Sequence, residues 1–117
     1  MSALDKTVAD LDAKRSKDNA ERRARQQAST AFLQEFFEAD LAPSTSLKQH
    51  GVQAAFDGKR ILLTKPEEGV YAEGMMIVVG EQGEIDVSGR SLGPVYANDK
   101  ENRKKELIAE IISHFSL

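Results

Sequence analysis

Cysteine and tryptophan are absent from the chain, and histidine occurs only at His50 and His114. Without thiols there are no disulfides, no thiolate metal ligands and no cysteine nucleophile. Two separated histidines, with no acid at ligand spacing beside them, do not supply the three or four ligands of a zinc site. Long apolar runs are missing as well: no stretch approaches the roughly 18 residues that a bilayer-spanning helix needs. The opening MSALDKTVADLDAKR carries acids throughout and no apolar segment of a secretory leader, so a cytoplasmic location is the expectation.

The signatures of catalysis are also missing. There is no G-x-S-x-G elbow, and VSGRSLGPV, despite its glycines and arginine, matches neither G-x-x-x-x-G-K-[ST] nor G-x-G-x-x-G. It reads as a flexible exit from a strand. Glu67, Glu68 and Glu73 cluster in a loop, but two carboxylates take on acid and base roles only where their surroundings split their pKa values, and no apolar shell surrounds these. The expectation is therefore a protein that is not an enzyme and holds no cofactor or metal.

What is present is charge, unevenly spread. The 117 residues carry a net −3, which gives no whole-molecule attraction to phosphate. Residues 11–25 hold six cations against three acids, whereas residues 61–90 hold two cations against six acids. The chain is bipolar, and its length fits one compact core with an appendage.

From Leu4 to Asp40 there is no glycine or proline, and strong helix formers dominate. Pro43 disfavours helical geometry at Ala42, so the helix should stop near Asp40 or Leu41. At 100° per residue, Leu4, Val8 and Leu11 share a sector to which Phe32, Leu33 and Phe36 return. Between them the sector is filled by Arg15, Asp18, Arg22 and Arg25. An apolar stripe interrupted in this way predicts that residues 30–41 dock on a core and residues 12–28 do not. We therefore divide the chain into a projecting or partly disordered helical arm, residues 1–28, and one α+β domain, residues 29–117. A parallel stripe of small residues, including Ala9, Ala13 and Ala20, buries too little area to fix an oligomer alone.

The rest reads as two hairpins and a helix. Asp57-Gly58 predicts a two-residue turn with Ala54 opposite Ile61, and Gln82-Gly83 predicts another with Val78 opposite Val87. On that register Met76, Val78, Ile85 and Val87 face the core. Met75, Ile77 and Val79, with Leu62 and Ala55, then form an outer apolar patch, a candidate partner-binding surface unless the N-terminal phenylalanines cover it. Asn98 and Glu101 have capping-box spacing, and Leu107, Ile108, Ile111, Ile112 and Phe115 make a core-facing stripe. The fold class is thus α+β: a long N-terminal helix, a four-stranded antiparallel sheet from two hairpins, and a C-terminal helix packed on the sheet.

Two functions compete. The first is a small non-catalytic protein-binding or assembly module whose arm engages a protein partner or a second copy. The second is a nucleic-acid-associated accessory protein using Arg15, Arg22, Arg23 and Arg25 as phosphate contacts. The spacing favours the first, because Asp10, Lys14, Asp18 and Arg22, and likewise Lys17, Glu21 and Arg25, fall at i, i+4 with alternating sign, so the cations are largely answered within the helix, with Arg15 and Arg23 left over. No aromatic lies among them to stack on a base. Lys100, Arg103, Lys104 and Lys105 give the last helix a superficial likeness to double-stranded-RNA-binding domains, but Asp99 and Glu101 stand at its start, and no family is assigned.

Overall fold

The computed structural model describes residues 2–66, 73–96 and 98–117. The chain runs through one long helix, α1 (Ala3–Phe36), a π-helical turn (Phe37–Leu41), a single-turn helix, α2 (Thr45–Gln49), five strands, and α3 (Lys100–Phe115). The strands are β1 (Gln53–Phe56), β2 (Arg60–Lys65), β3 (Glu73–Val79), β4 (Glu84–Val87) and β5 (Arg90–Pro94), one more than the sequence reading gave. They form a meander in sequence order, every neighbour antiparallel.

Helix α1 begins where Ser2 accepts a hydrogen bond from the Asp5 amide at 3.1 Å. Its 34 residues span roughly 50 Å at 1.5 Å per residue. The π-turn, closed by the Ala42 amide donating to the Phe37 carbonyl at 2.8 Å, ends it just before Pro43. Residues 2–21 are exposed on every side, and the docked part holds Ser29, Phe32, Leu33 and Phe36 buried. The molecule is consequently elongated, 69 × 33 × 20 Å, with a radius of gyration of 18.9 Å. A compact chain of this length would have about 13 Å.

Both helices pack on the same face of the sheet. Phe32, Leu33 and Phe36 of α1 and Leu107, Ile111 and Phe115 of α3 meet Ile61, Leu63, Met75, Ile77, Ile85 and Val87 in one buried cluster. Each such side chain contributes about 1.5–3 kcal/mol by leaving water. Phe37 stacks on Phe56 at 5.9 Å and seals the β1 side. The stripe on α3 is narrower than its sequence suggests, because Ile108 and Ile112 lie at the exposed edge. Its start also differs: Asp99 is the N-cap residue, with no side-chain capping bond, so the Asn98–Glu101 box does not form.

Register explains which face each strand buries. Phe56 pairs with Ile61 and Ala54 with Leu63, so the first turn holds four residues where two were expected. The Asp57 carboxylate builds it, accepting from the Lys59 amide at 3.0 Å and the Arg60 amide at 2.9 Å. A shift of two keeps every side chain on its expected face. The second hairpin is shifted by one. Val79 pairs with Ile85 and Ile77 with Val87, because the connection is a longer loop closed by the Gly80 amide donating to the Glu84 carbonyl at 2.8 Å. Met75 and Ile77 therefore face the core, and Met76 and Val78 take the outer face.

The missed fifth strand follows a turn at Ser88-Gly89. Both residues have positive φ, 49° and 90°, between the paired Val87 and Arg90, which is type I′ geometry. VSGRSLGPV is thus a hairpin and an edge strand, not a flexible exit. Pro94 at the end of that edge lacks the N–H that a further strand would pair with. Glu73, expected in a loop, belongs to β3, while Glu67 and Glu68 lie outside the described residues.

Candidate interaction surfaces

Three surfaces are left uncovered by the described residues: the arm, the open sheet face, and a shallow groove beside α3. On the arm, Leu4, Val8 and Leu11 are 72%, 46% and 45% exposed, in one sector of a helix that touches no other described residues there. The expected i, i+4 charge ladder does not close. The arm's one ion pair among the described residues is Asp12–Arg15 at 3.8 Å, both partners well exposed and worth little. Arg22 donates to the Asn19 side chain at 2.8 Å.

Docking starts at Arg25, earlier than residue 30. Its Nε donates to the Gln82 carbonyl at 3.1 Å, Gln26 donates to the Glu81 carbonyl at 2.7 Å, and the buried Ser29 hydroxyl donates to the Gly83 carbonyl. The β3–β4 loop is in effect a bracket for the helix. It presents three backbone carbonyls, and the helix offers three side-chain donors within about one turn. Of the four candidate phosphate contacts, Arg25 is therefore spent on the hairpin. Arg15 and Arg22 have helix partners, and Arg23 is exposed.

The outer apolar patch exists with a changed membership. Of the expected Met75, Ile77, Val79 and Leu62, only Leu62 is on the open face, 45% exposed; Met75 and Ile77 are core residues and Val79 packs against the core. In their place Met76, 40% exposed, and Val78 stand beside Leu62 and Ala55. The one-residue slip in the second hairpin is the whole reason. Arg60 crosses this face, its Nε donating to the Asp57 carboxylate at 2.7 Å and its Nη1 lying 3.9 Å from the Met76 sulfur.

The groove is bounded by Leu41, Leu47, Ile108, Ile112 and Leu117 and encloses about 240 Å³. At its margin the Lys104 ammonium lies 2.9 Å from the Asp40 carboxylate, tying α3 to the π-turn. That carboxylate oxygen is enclosed without an aligned hydrogen bond, so we read the contact as an ion pair. The nearby carboxylate raises the Lys104 pKa above its ordinary value, against a smaller opposing effect of desolvation. The Asp57 carboxyl moves the other way, held below its ordinary value first by the Lys59 amide and then by the Arg60 guanidinium and amide.

No set of three metal-ligating side chains gathers among the described residues. His114 packs edge-on against Phe115 at 4.7 Å, and His50 is exposed at the end of α2. Among the described residues no helix is long and apolar enough to cross a membrane. Comparison with protein-family models, with curated proteins and with solved structures returns no match.

Proposed function

We propose that this chain is a non-catalytic protein-binding or assembly module whose helical arm engages a protein partner or a second copy. One observation carries the reading: residues 3–21 belong to α1 without a break and are exposed on every side. A helix shorter than about 12–15 residues is marginal in water, and tertiary packing of an apolar face normally supplies most of a helix's stability. This arm has such a face, in Leu4, Val8 and Leu11, and among the described residues nothing packs on it. A second helix laid along that face would supply the missing burial.

The full chain and its Leu4→Asp, Val8→Asp, Leu11→Asp triple variant provide the test, compared by light scattering and by the proteins that copurify with each. The triple variant should unfold at the same denaturant midpoint and lose the partner or the higher mass. An unchanged mass together with an unchanged partner profile would overturn the reading. The nucleic-acid alternative has less support, since three of its four arginines already have partners. It requires retention on DNA or RNA at low salt that falls steeply as salt rises.

A further inference from the structure

The open face of the sheet carries an arrangement of charge that the arm does not explain. Arg60 on β2 pairs across with Val78 on β3, and Val78 pairs with Asp86 on β4. The three form one row across the sheet, cation, apolar centre, anion, all on the side away from the helices. Strands lie about 4.8 Å apart, so the Cα atoms of Arg60 and Asp86 stand at nearly equal distances on either side of Val78. The next row repeats the apolar centre, with Leu62 opposite Met76 and Ala55 opposite Leu62. Among the described residues Asp86 has no ionic partner, although it is only half-exposed.

We propose that this face associates with the same face of a second copy, about a twofold axis running along β3. Rotation about such an axis exchanges the β2 side with the β4 side while leaving β3 over itself. Arg60 of each copy then faces Asp86 of the other, Val78 faces Val78, and Met76 faces Met76. An isologous interface requires this property, that one patch be its own complement, and a row of cation, apolar centre and anion has it. A partner of unrelated sequence has no need of it. Two sheets stacked face to face tolerate a rotation of about 30°, small enough near the axis to keep the row in register.

The size of the face sets the strength. Five strands of about five residues give a footprint of about 350 Å² per copy, below the ~800 Å² per partner of a standard interface. The dimer is therefore reversible and dissociates on dilution. The guanidinium is already positioned for it: Asp57 holds Arg60 across the face, leaving Nη1 over Met76.

Sedimentation velocity of the full chain from about 5 μM to 1 mM, with thermal unfolding of every variant as a check on folding, tests this. The mass of the unmodified chain should rise toward that of two copies with concentration. Arg60→Asp and Asp86→Arg each place like charges opposite one another and should raise the dimer Kd at least about tenfold. The double variant, Arg60→Asp with Asp86→Arg, restores opposite charges and should return within about threefold of the original. Met76→Lys, on an exposed position, should weaken association as well. A monomer over the whole range, single reversals without effect, or a double variant as weak as either single would each overturn the proposal. So would a dimer abolished by the Leu4, Val8 and Leu11 substitutions but untouched by the reversals, which would assign self-association to the arm instead.

Discussion

Gly83 lies directly against the backbone of Arg25: a Cβ added to it would stand 2.5 Å from the Arg25 Cβ and 2.8 Å from its carbonyl carbon. This approach brings the loop carbonyls within reach of Arg25, Gln26 and Ser29. Gly83 also has φ +79°, a conformation that side chains disfavour. Gly83→Ala should therefore destabilise the domain by about 2–4 kcal/mol, from overpacking plus backbone strain, measured by urea denaturation. Hydrogen exchange should show the loss of protection beginning at residues 22–29, where the bracket holds the helix.

Ser29 gives a milder version of the same test. Its buried hydroxyl satisfies the Gly83 carbonyl, so Ser29→Ala should cost about 1–2 kcal/mol in the same denaturation experiment. Gln26→Ala, whose bond to the Glu81 carbonyl is exposed, should cost less than Ser29→Ala.

The turn at Ser88-Gly89 can be improved. Serine occupies a positive-φ position where asparagine is preferred ahead of glycine, so Ser88→Asn should stabilise the protein by about 0.5–1 kcal/mol. Ser88→Val should destabilise it, because a β-branched residue tolerates that backbone conformation poorly. A pair of thermal unfolding curves with opposite shifts is the expected result.

The two shifted ionisable groups act at opposite ends of the pH scale. Lys104 has a raised folded pKa, so the stability it contributes is complete below the ordinary lysine value of about 10.5 and is lost as pH climbs through the raised value. Asp57 has a lowered one, so its contribution is present above the ordinary carboxylate value of about 3.9 and is lost as pH falls through the lowered value. Lys104→Met should flatten the alkaline fall in stability. Asp57→Ala should flatten the acid fall and leave the alkaline limb unchanged. Denaturant midpoints across the pH range distinguish them.

The arm should behave as a separate unit in exchange experiments. Ala13→Gly lowers helix propensity there by about 1 kcal/mol, which should speed amide exchange over residues 5–20 without changing the global unfolding midpoint. A shift of that midpoint would show that the arm contributes to the folded body.

Periodicity made the long helix, its docked phenylalanines and its charged middle legible, since Phe32, Leu33 and Phe36 recur at helical spacing wherever the helix packs. The faces of β1 and β2 were legible for a different reason: the misjudged turn at Asp57 moved the pairing by an even number of residues. The faces of β3 were not, because its apolar run is uniform from Met75 to Val79 and nothing in it distinguishes one register from the next. Composition could not reveal that Gly83 meets Arg25, a contact between residues far apart in the chain. Nor did Ser88 advertise a turn, serine being an uncommon choice at positive φ. The open-face patch was thus predicted in kind and misassigned in its members, by a single residue of slippage.

The π-turn at Phe37–Leu41 sets the angular phase of everything that follows α1. In an uninterrupted α-helix the residue one turn beyond buried Phe36 would be Asp40; the widened turn delivers Leu41 to the interior and leaves Asp40 at the margin to meet Lys104. One surplus residue thereby sorts a hydrocarbon from a carboxylate. Deleting any one of Glu38, Ala39 or Asp40 would force a choice between rewinding the helix end and pulling α2 toward the body, so this short stretch tolerates substitution more readily than a change of length.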